Sequence, residues 1–485
     1  MILDRIKHKI FDIFKIYPAQ SRMLIVNEEM THINNVLKNK ILYRGNANEI
    51  EQFFKQVSGS VNDKTAARFW AVVPENGRVR KIHSGIVSTV IDFYANIIAA
   101  EFEGVTADEK CIDERINNIF SENNIERLIE RSITETLVTG DGAFKLSVDR
   151  SVSELPIIEF YSAADVEYTY KRGRLSEVHF YNDYRQDGKT YRLEEIYGRG
   201  RISYILWDKG KQVSLSKVSA LSEYADVTYN CDLILAIPLK FFDSDIYRNR
   251  GKSLFEGKVE DIDALDEVTS QWLDAIRKGR VKKYIPDSLL PRDMNTGAVQ
   301  NINDFDDDFI KLTGSHSEDQ KDTITMLQPA IDYAAYENSY KTFLDLVLQG
   351  IISPSSLGID LKKTDNAEAQ REKEKMTLFM MSIFVAEIKA ALDDLGKLAL
   401  ICEDIMQNKT PDNYSVKSSF AEYAEPTFES RAEILSNLYA KGAISTEILV
   451  DRMYGNSLSD EEKTAEVQRL KVAEAPQLDM PDVGG

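Results

Sequence analysis

Residues 336–360 read YENSYKTFLDLVLQGIISPSSLGID. Tyr336, Tyr340, Phe343, Leu344, Val347, Leu348 and Ile351 recur at three- and four-residue steps, which puts them on one face of a helix. Ser353-Pro354-Ser355-Ser356-Leu357-Gly358 then breaks the helix, because Pro has no N–H to donate and Ser and Gly favour turns. Beyond the break, Asp365 and Glu368 have the spacing of an N-terminal cap. From Asn366 the chain can stay helical to about Met406, on the order of 60 Å at the usual helical rise. The stretch therefore predicts a rod, a sharp break and a longer rod.

Upstream, the first rod of this pattern follows Pro329, and a matching one precedes it. Phe255, Val259, Ile262, Leu265, Val268, Trp272 and Ile276 mark a helix expected over Leu254–Ile276, roughly 35 Å long, with Ser253 and Glu256 as its capping box. Between the two rods, Tyr284–Met326 carries Pro286, Pro291, the acidic cluster Asp304, Asp306, Asp307 and Asp308, and a polar turn at Gly314–Gln320. Short strands are expected at Val281–Ile285, Phe309–Leu312 and Thr323–Leu327, giving a small α/β excursion.

The N-terminal third is mostly helical, with apolar periodicity over Asn48–Gln56, Ile86–Ala100 and Asn124–Thr139. At Gly140-Asp141-Gly142 the period changes from three-to-four to two. Phe144–Val148, Val178–Tyr181, Tyr191–Tyr197 and Arg201–Trp207 read as strands of an antiparallel meander spanning about Ala143 to Phe242. After Lys409-Thr410-Pro411, amphipathic helices are expected near Ser430–Lys441 and Ser445–Met453, and a charged one at Ser459–Val472. The tail, Ala473–Gly485, has the Pro, Gly and acid content of a disordered segment.

With 485 residues the chain is long enough for more than one compact unit, and its 43% hydrophobic content supplies real cores. A formal net charge of −19 argues against a protein that grips nucleic acid tightly. Cys111, Cys231 and Cys402 make no disulfide framework, and no stretch reaches the roughly 18 apolar residues of a membrane span. The expectation is a soluble, cytoplasmically assembled protein without a membrane partner.

No motif offers chemistry. Gly251-Lys252-Ser253 ends like a phosphate loop, but Ile246 stands where the first glycine must be, so a loop leading into a helix is the better reading. Gly198 and Gly200 begin a dinucleotide fingerprint that fails at Ser203. None of His8, His32, His83, His179 and His316 pairs at metal-ligand spacing. The Asp304–Asp308 cluster lacks the glycine and spacing of a calcium loop. No catalytic residue, metal or cofactor is expected. The basic residues Arg277, Lys278, Arg280, Lys282 and Lys283 fit two readings equally: complements to a helix C-terminus, or contacts to phosphates or an acidic partner.

Four segments carry a family resemblance, and their order matters more than any one of them. Phe69-Trp70-Ala71 with Val79–Ile86, Thr139–Phe144, Arg250–Phe255, and Ile352–Asp360 followed by Asn366–Glu372 resemble segments of the portal proteins of long-tailed bacteriophages, siphovirus type, of Gram-positive hosts. The resemblance runs from about Asn27 to Lys471. It implies an α+β, mainly helical ring subunit: an N-terminal wing over 1–242, a first stem helix within 243–278, a clip over 279–329, a second stem helix over 330–351, a tunnel loop over 352–365, a long wing helix over 366–409, and a helical crown over 410–472 before the tail at 473–485.

The function so implied is a non-enzymatic one. A homo-oligomeric ring, usually twelve-fold, would sit at one capsid vertex of the virion and pass double-stranded DNA during packaging and ejection. Its partners would be the terminase large subunit, the major capsid protein, scaffold and the head–tail adaptor. Ser353, Ser355, Ser356, Lys362 and Lys363 would face the channel, and Arg277, Lys278, Arg280, Lys282 and Lys283 would lie at the clip. An acidic ring suits sliding DNA, because each neutralised phosphate adds affinity and hence drag. The alternatives are a helical scaffold or adaptor without a channel and, less favoured, a metal-dependent nuclease.

Overall fold

The computed structural model describes residues 31–60, 69–71, 79–279, 282–286, 309–312, 325–327, 330–359, 367–421, 435–436, 439, 445–454 and 460–474. The chain divides into two compact units, one to Phe420 and one from Ala421. The class is mixed helix and sheet, the α+β fold expected from the sequence.

The first unit opens with helices α1 (His32–Arg44), α2 (Ala47–Ser60) and α3 (Ile86–Ala100), strand β1 (Phe102–Ala107), then α4 (Lys110–Glu122) and α5 (Ile125–Thr139). Along α3, Val87, Val90, Ile91, Tyr94 and Ile98 are buried, as the three-to-four spacing requires, and the helix packs on α5. At Gly140 the chain leaves α5 and enters β2 (Asp141–Ser147), which pairs antiparallel with β3 (Ile157–Ser162) and with the later β10 (Ala236–Lys240).

The single meander expected from Ala143 to Phe242 is instead divided between two sheets: the run from Phe144 falls on β2 of the first, and the three later runs fall in the second. β4 (Val166–Lys171), β5 (Arg174–Gln186), β6 (Lys189–Gly198), β7 (Arg201–Asp208) and β8 (Lys211–Val213) neighbour one another in sequence order, and β9 (Val227–Thr228) pairs with β7. β5 is far longer than the Val178–Tyr181 run marked by the sequence. Only Val178 and Phe180 of it are buried, and its C-terminal part, from Asn182, is mostly polar. Lys145 of β2 joins the two sheets. Its ammonium lies 2.9 Å from Glu159 and 3.2 Å from Glu195, with the Tyr161 hydroxyl at 3.0 Å. Burial alone would lower its pKa, but the carboxylates of Glu195 and Glu159 outweigh that and hold it above the ordinary lysine range.

The two rods are α6 (Val259–Lys278) and α7 (Tyr333–Leu348). They run antiparallel: Lys258 donates to the Leu346 carbonyl near one end, and Trp272 stacks on Tyr336 near the other, with centroids 6.3 Å apart and planes at 7°. Between them β11 (Lys282–Pro286) pairs parallel with β12 (Phe309–Leu312) and antiparallel with β13 (Thr325–Leu327), so strands form where the sequence places them. The first rod starts later than Leu254. Ser253 Oγ donates to the Leu137 carbonyl, Gly257 has φ +86°, and a helix follows only from Val259.

The long helix α8 (Ala367–Met406) has 40 residues and spans about 60 Å. It crosses the body of the unit, where Phe384 meets Tyr94 at 5.1 Å and Phe241 at 4.9 Å between ring centroids. The segment expected to be helical from residue 410 begins otherwise. Val416–Phe420 is strand β14, antiparallel to β1, and Ser418 binds Asp393 of α8 through its amide and its hydroxyl. In the second unit, α9 (Thr446–Tyr454) and α10 (Asp460–Glu474) match the expected helices and share a Lys471–Glu447 ion pair. Most of the helix expected at Ser430–Lys441 lies outside the described residues.

Candidate functional site: the rod junction and the loop root

Asp263, Asp266 and Ser270 stand three and four residues apart, on one face of α6. All three are buried, Asp266 completely. Such a face is costly unless every polar atom finds a partner, and here the partners come from residues 69–84. The Phe69 and Trp70 amides donate to Asp263 at 2.9 and 3.2 Å. Asp266 accepts from Trp70 Nε1 at 3.0 Å and from the Ser84 amide at 2.8 Å, and meets His83 Nδ1 at 2.6 Å. The Ile82 amide donates to Ser270 Oγ at 2.9 Å. His83 Nε2 is 3.2 Å from the Leu42 carbonyl, which ties α1 into the same junction. The first rod is thus held on the helical body by polar contacts of fixed direction.

A second junction joins two of the segments singled out in the sequence. The Gly251 amide donates to Asp141 Oδ2 at 2.7 Å, and the Arg250 guanidinium lies 3.0 Å from Oδ1. Arg250 also donates to the Val166 and Ala163 carbonyls and sits over the Tyr168 ring at 4.9 Å. Burial pushes the Asp141 carboxyl up, against the pull of Arg250 and the Gly251 amide. The backbones are so close that a Cβ on Gly251 would fall 2.0 Å from the Gly140 carbonyl oxygen. Gly140-Asp141-Gly142 and Arg250-Gly251-Lys252-Ser253 are therefore two halves of one backbone crossing, which accounts for the partial phosphate-loop pattern without a nucleotide.

After α7 the chain enters a single 3₁₀ turn, Pro354–Leu357. Ser353 is buried, and Ser355 and Ser356 are half-buried. Ser353 Oγ is 2.8 Å from Ser355 Oγ, the Ser353 amide donates to Thr377 Oγ1 at 3.0 Å, and Ser356 Oγ lies 2.9 Å from that same atom. Lys362 and Lys363 lie outside the described residues, as does Arg280. Arg277 is half-buried and Lys278 exposed at the C-terminus of α6, where Lys278 meets Asp274 at 2.6 Å. Lys282 and Lys283 are on β11. The backbone therefore places these four basic residues at one end of the rod pair. Asp263, Asp266 and Thr377 were not picked out by sequence reading. The available signal was acid at Asp263 and Asp266, directly beside the apolar positions Ile262 and Leu265.

Among the described residues no group of three or more His, Cys, Asp or Glu side chains is arranged to hold a metal ion, and no helix is long and apolar enough to cross a membrane. Asp304, Asp306, Asp307 and Asp308 lie outside those residues. His179 is 2.8 Å from Glu194, whose other oxygen accepts from Trp207 Nε1 at 2.8 Å, a cross-strand network on the face of the larger sheet.

No protein-family model and no curated protein matches the chain. Among solved structures, it is similar to a chain of the virion of a native gene transfer agent particle, at 12% identity and TM-score 0.39, covering 79% of this chain and 89% of that one. A chain from the neck of the native particle, computed with C12 symmetry, gives 12% and 0.38 over 79% and 90%. One from the neck of the empty particle, computed with C6 symmetry, gives 11% and 0.40 over 84% and 99%.

Proposed function

We propose that this chain is a portal-type ring subunit, a non-catalytic virion component that passes DNA through a channel at one capsid vertex. The observation that carries the reading is the antiparallel pair α6 and α7. The pair leads from an α+β body to the β11–β13 sheet and back, then into a 3₁₀ break and a 40-residue helix. On this reading α6 and α7 are the stem, the β11–β13 sheet belongs to the clip, residues 352–365 are the tunnel loop, and the helices and sheets to Phe242 together with α8 are the wing. A first rod held by directional buried contacts suits a part that must keep its position while a polymer slides past it.

The clip, with Arg277, Lys278, Arg280, Lys282 and Lys283, would face the packaging motor and later the head–tail adaptor. Energy would come from that motor. Lys362 and Lys363, repeated around a closed ring, would give weak and evenly spaced phosphate contacts on an otherwise acidic wall. The reading is tested by replacing Lys362 and Lys363 with Ala: DNA packaging should change while ring assembly stays intact. Loss of rings would instead give those lysines a structural role and remove them from the channel.

A further inference from the structure

The loop root has a fastening of its own. Ile351 and Ile352 are buried, and the Ile351 carbonyl accepts from Tyr94 OH of α3 at 2.8 Å. Two residues on, the Ser353 amide donates to Thr377 Oγ1, and Ser356 Oγ meets the same hydroxyl. Between these anchors and Ile359 the segment is closed by its own turn bonds: Ser356 N to Ser353 O at 3.0 Å, Gly358 N to Ser355 O at 3.0 Å, and Ile359 N to Pro354 O at 3.0 Å. It is therefore a small preformed unit fixed at two points, one on α3 and one on α8.

Thr377 is an unusual residue to find in that place. A β-branched side chain inside a helix gives up conformational freedom, and its hydroxyl ordinarily turns back to the carbonyl one turn earlier. Here the hydroxyl makes two contacts with another segment, at 1% exposure, where an unmade hydrogen bond is costly. Its neighbours on α8 divide by face: Met380 and Met381 are buried, whereas Met376 and Phe379 are exposed. The clasp therefore lies on the inward face, where water does not compete for it.

We propose that Thr377 is a positioning residue. Its hydroxyl clasps the Ser353–Ile359 turn to α8 and so sets where the following part of the chain begins. Without it the turn keeps its internal bonds but pivots on the Tyr94–Ile351 contact. The structural claim stands on the geometry alone. Its consequence, that the clasp sets the height of a channel loop and so controls how freely DNA moves, rests on the portal reading.

The test compares Thr377→Val, which keeps shape and loses the hydroxyl, with Thr377→Ser, which keeps the hydroxyl. Amide hydrogen exchange is read at residues 353–359 in the full chain, and DNA content in particles assembled with each variant. Thr377→Val should speed exchange of the Ser353 amide roughly tenfold, the size expected for losing one buried hydrogen bond. Thr377→Ser should stay within about twofold of the wild type. Valine particles should form rings in normal number and differ in DNA content, with serine restoring it. Exchange in Thr377→Val as slow as in the wild type overturns the clasp. So does a serine variant that exchanges as fast as the valine one, since packing of the methyl group would then be what matters. If the exchange result holds and DNA content is unchanged in intact rings, the claim of control over DNA is wrong. A wild-type chain that forms no rings counts against the portal reading alone, and exchange still decides the clasp.

Discussion

Asp266 Oδ2 lies 2.6 Å from His83 Nδ1, joining residues 183 positions apart in the chain. Both side chains are buried, at 0% and 2% exposure, and the same carboxylate also holds the Trp70 indole and the Ser84 amide. A charge taken out of water is tolerable only with such a full set of partners. The contact therefore fixes one arrangement of α6 on the helices before it, and it makes that arrangement sensitive to single substitutions.

Asp266→Ala removes the shared acceptor and strands three donors. A loss of about 3 kcal/mol is expected, with Ser270→Ala nearer 1 kcal/mol, since outside the helix its neutral hydroxyl meets only Ile82, accepting from the amide at 2.9 Å and reaching the carbonyl at 3.5 Å. Thermal unfolding of the two variants beside the wild type checks the order. Equal effects would mean the carboxylate is not the centre of the junction.

Gly251→Ala meets the Gly140 carbonyl oxygen at 2.0 Å, a contact between backbones that no rotamer change relieves. The variant should fail to give soluble, cooperatively folding protein. Lys252→Ala, one residue on and only half-buried, should fold normally. Soluble yield and the sharpness of the melting transition decide it.

Lys145→Met leaves Glu195 buried without its cation. A fall of about 3 kcal/mol is expected, and adding Glu195→Gln should recover part of it. A double-mutant cycle on melting temperature measures the coupling; purely additive effects would show that the pair does not join the two sheets.

Burial pushes the Glu101 carboxyl from an ordinary 4.5 up to about 7. The folded state therefore holds this proton more tightly than the unfolded state. The group's contribution is fully present below about pH 4.5 and is lost as the pH rises through 7. Glu101→Gln should be the more stable protein at pH 8, by about 1–2 °C given that the group is partly solvated. The gap should close toward pH 4.5. A constant gap across that range would contradict the assignment.

Much of this architecture was legible in the chain because it rests on periodicity. Ile86–Ala100, the second rod, the three strands between the rods and the helix ending at Met406 all announce themselves through apolar spacing or Pro and Gly breaks. The parts that were not legible depend on distant partners. Nothing near Val416–Phe420 shows that β1 waits more than 300 residues upstream, and its short Val-Lys-Ser-Ser-Phe run is weakly patterned. The capping-box pattern at Ser253 and Glu256 is half met: Glu256 accepts from the Ser253 amide at 3.4 Å, but the Ser253 hydroxyl goes to the Leu137 carbonyl and the helix begins five residues beyond Leu254. The candidate site was legible as segments and illegible as contacts. Gly140–Gly142 and Arg250–Ser253 each stood out, yet only the fold shows that they touch, and Thr377 carries no local signal at all.

The central claim is that the chain closes into a ring around a channel, and electron-microscope imaging of the purified full-length protein tests it most directly. The account predicts closed rings with a central hole wide enough for duplex DNA, roughly 20 Å or more, with the β11–β13 sheet at one end of the axis. Monodisperse monomers at every concentration, or assemblies without a central opening, would contradict it.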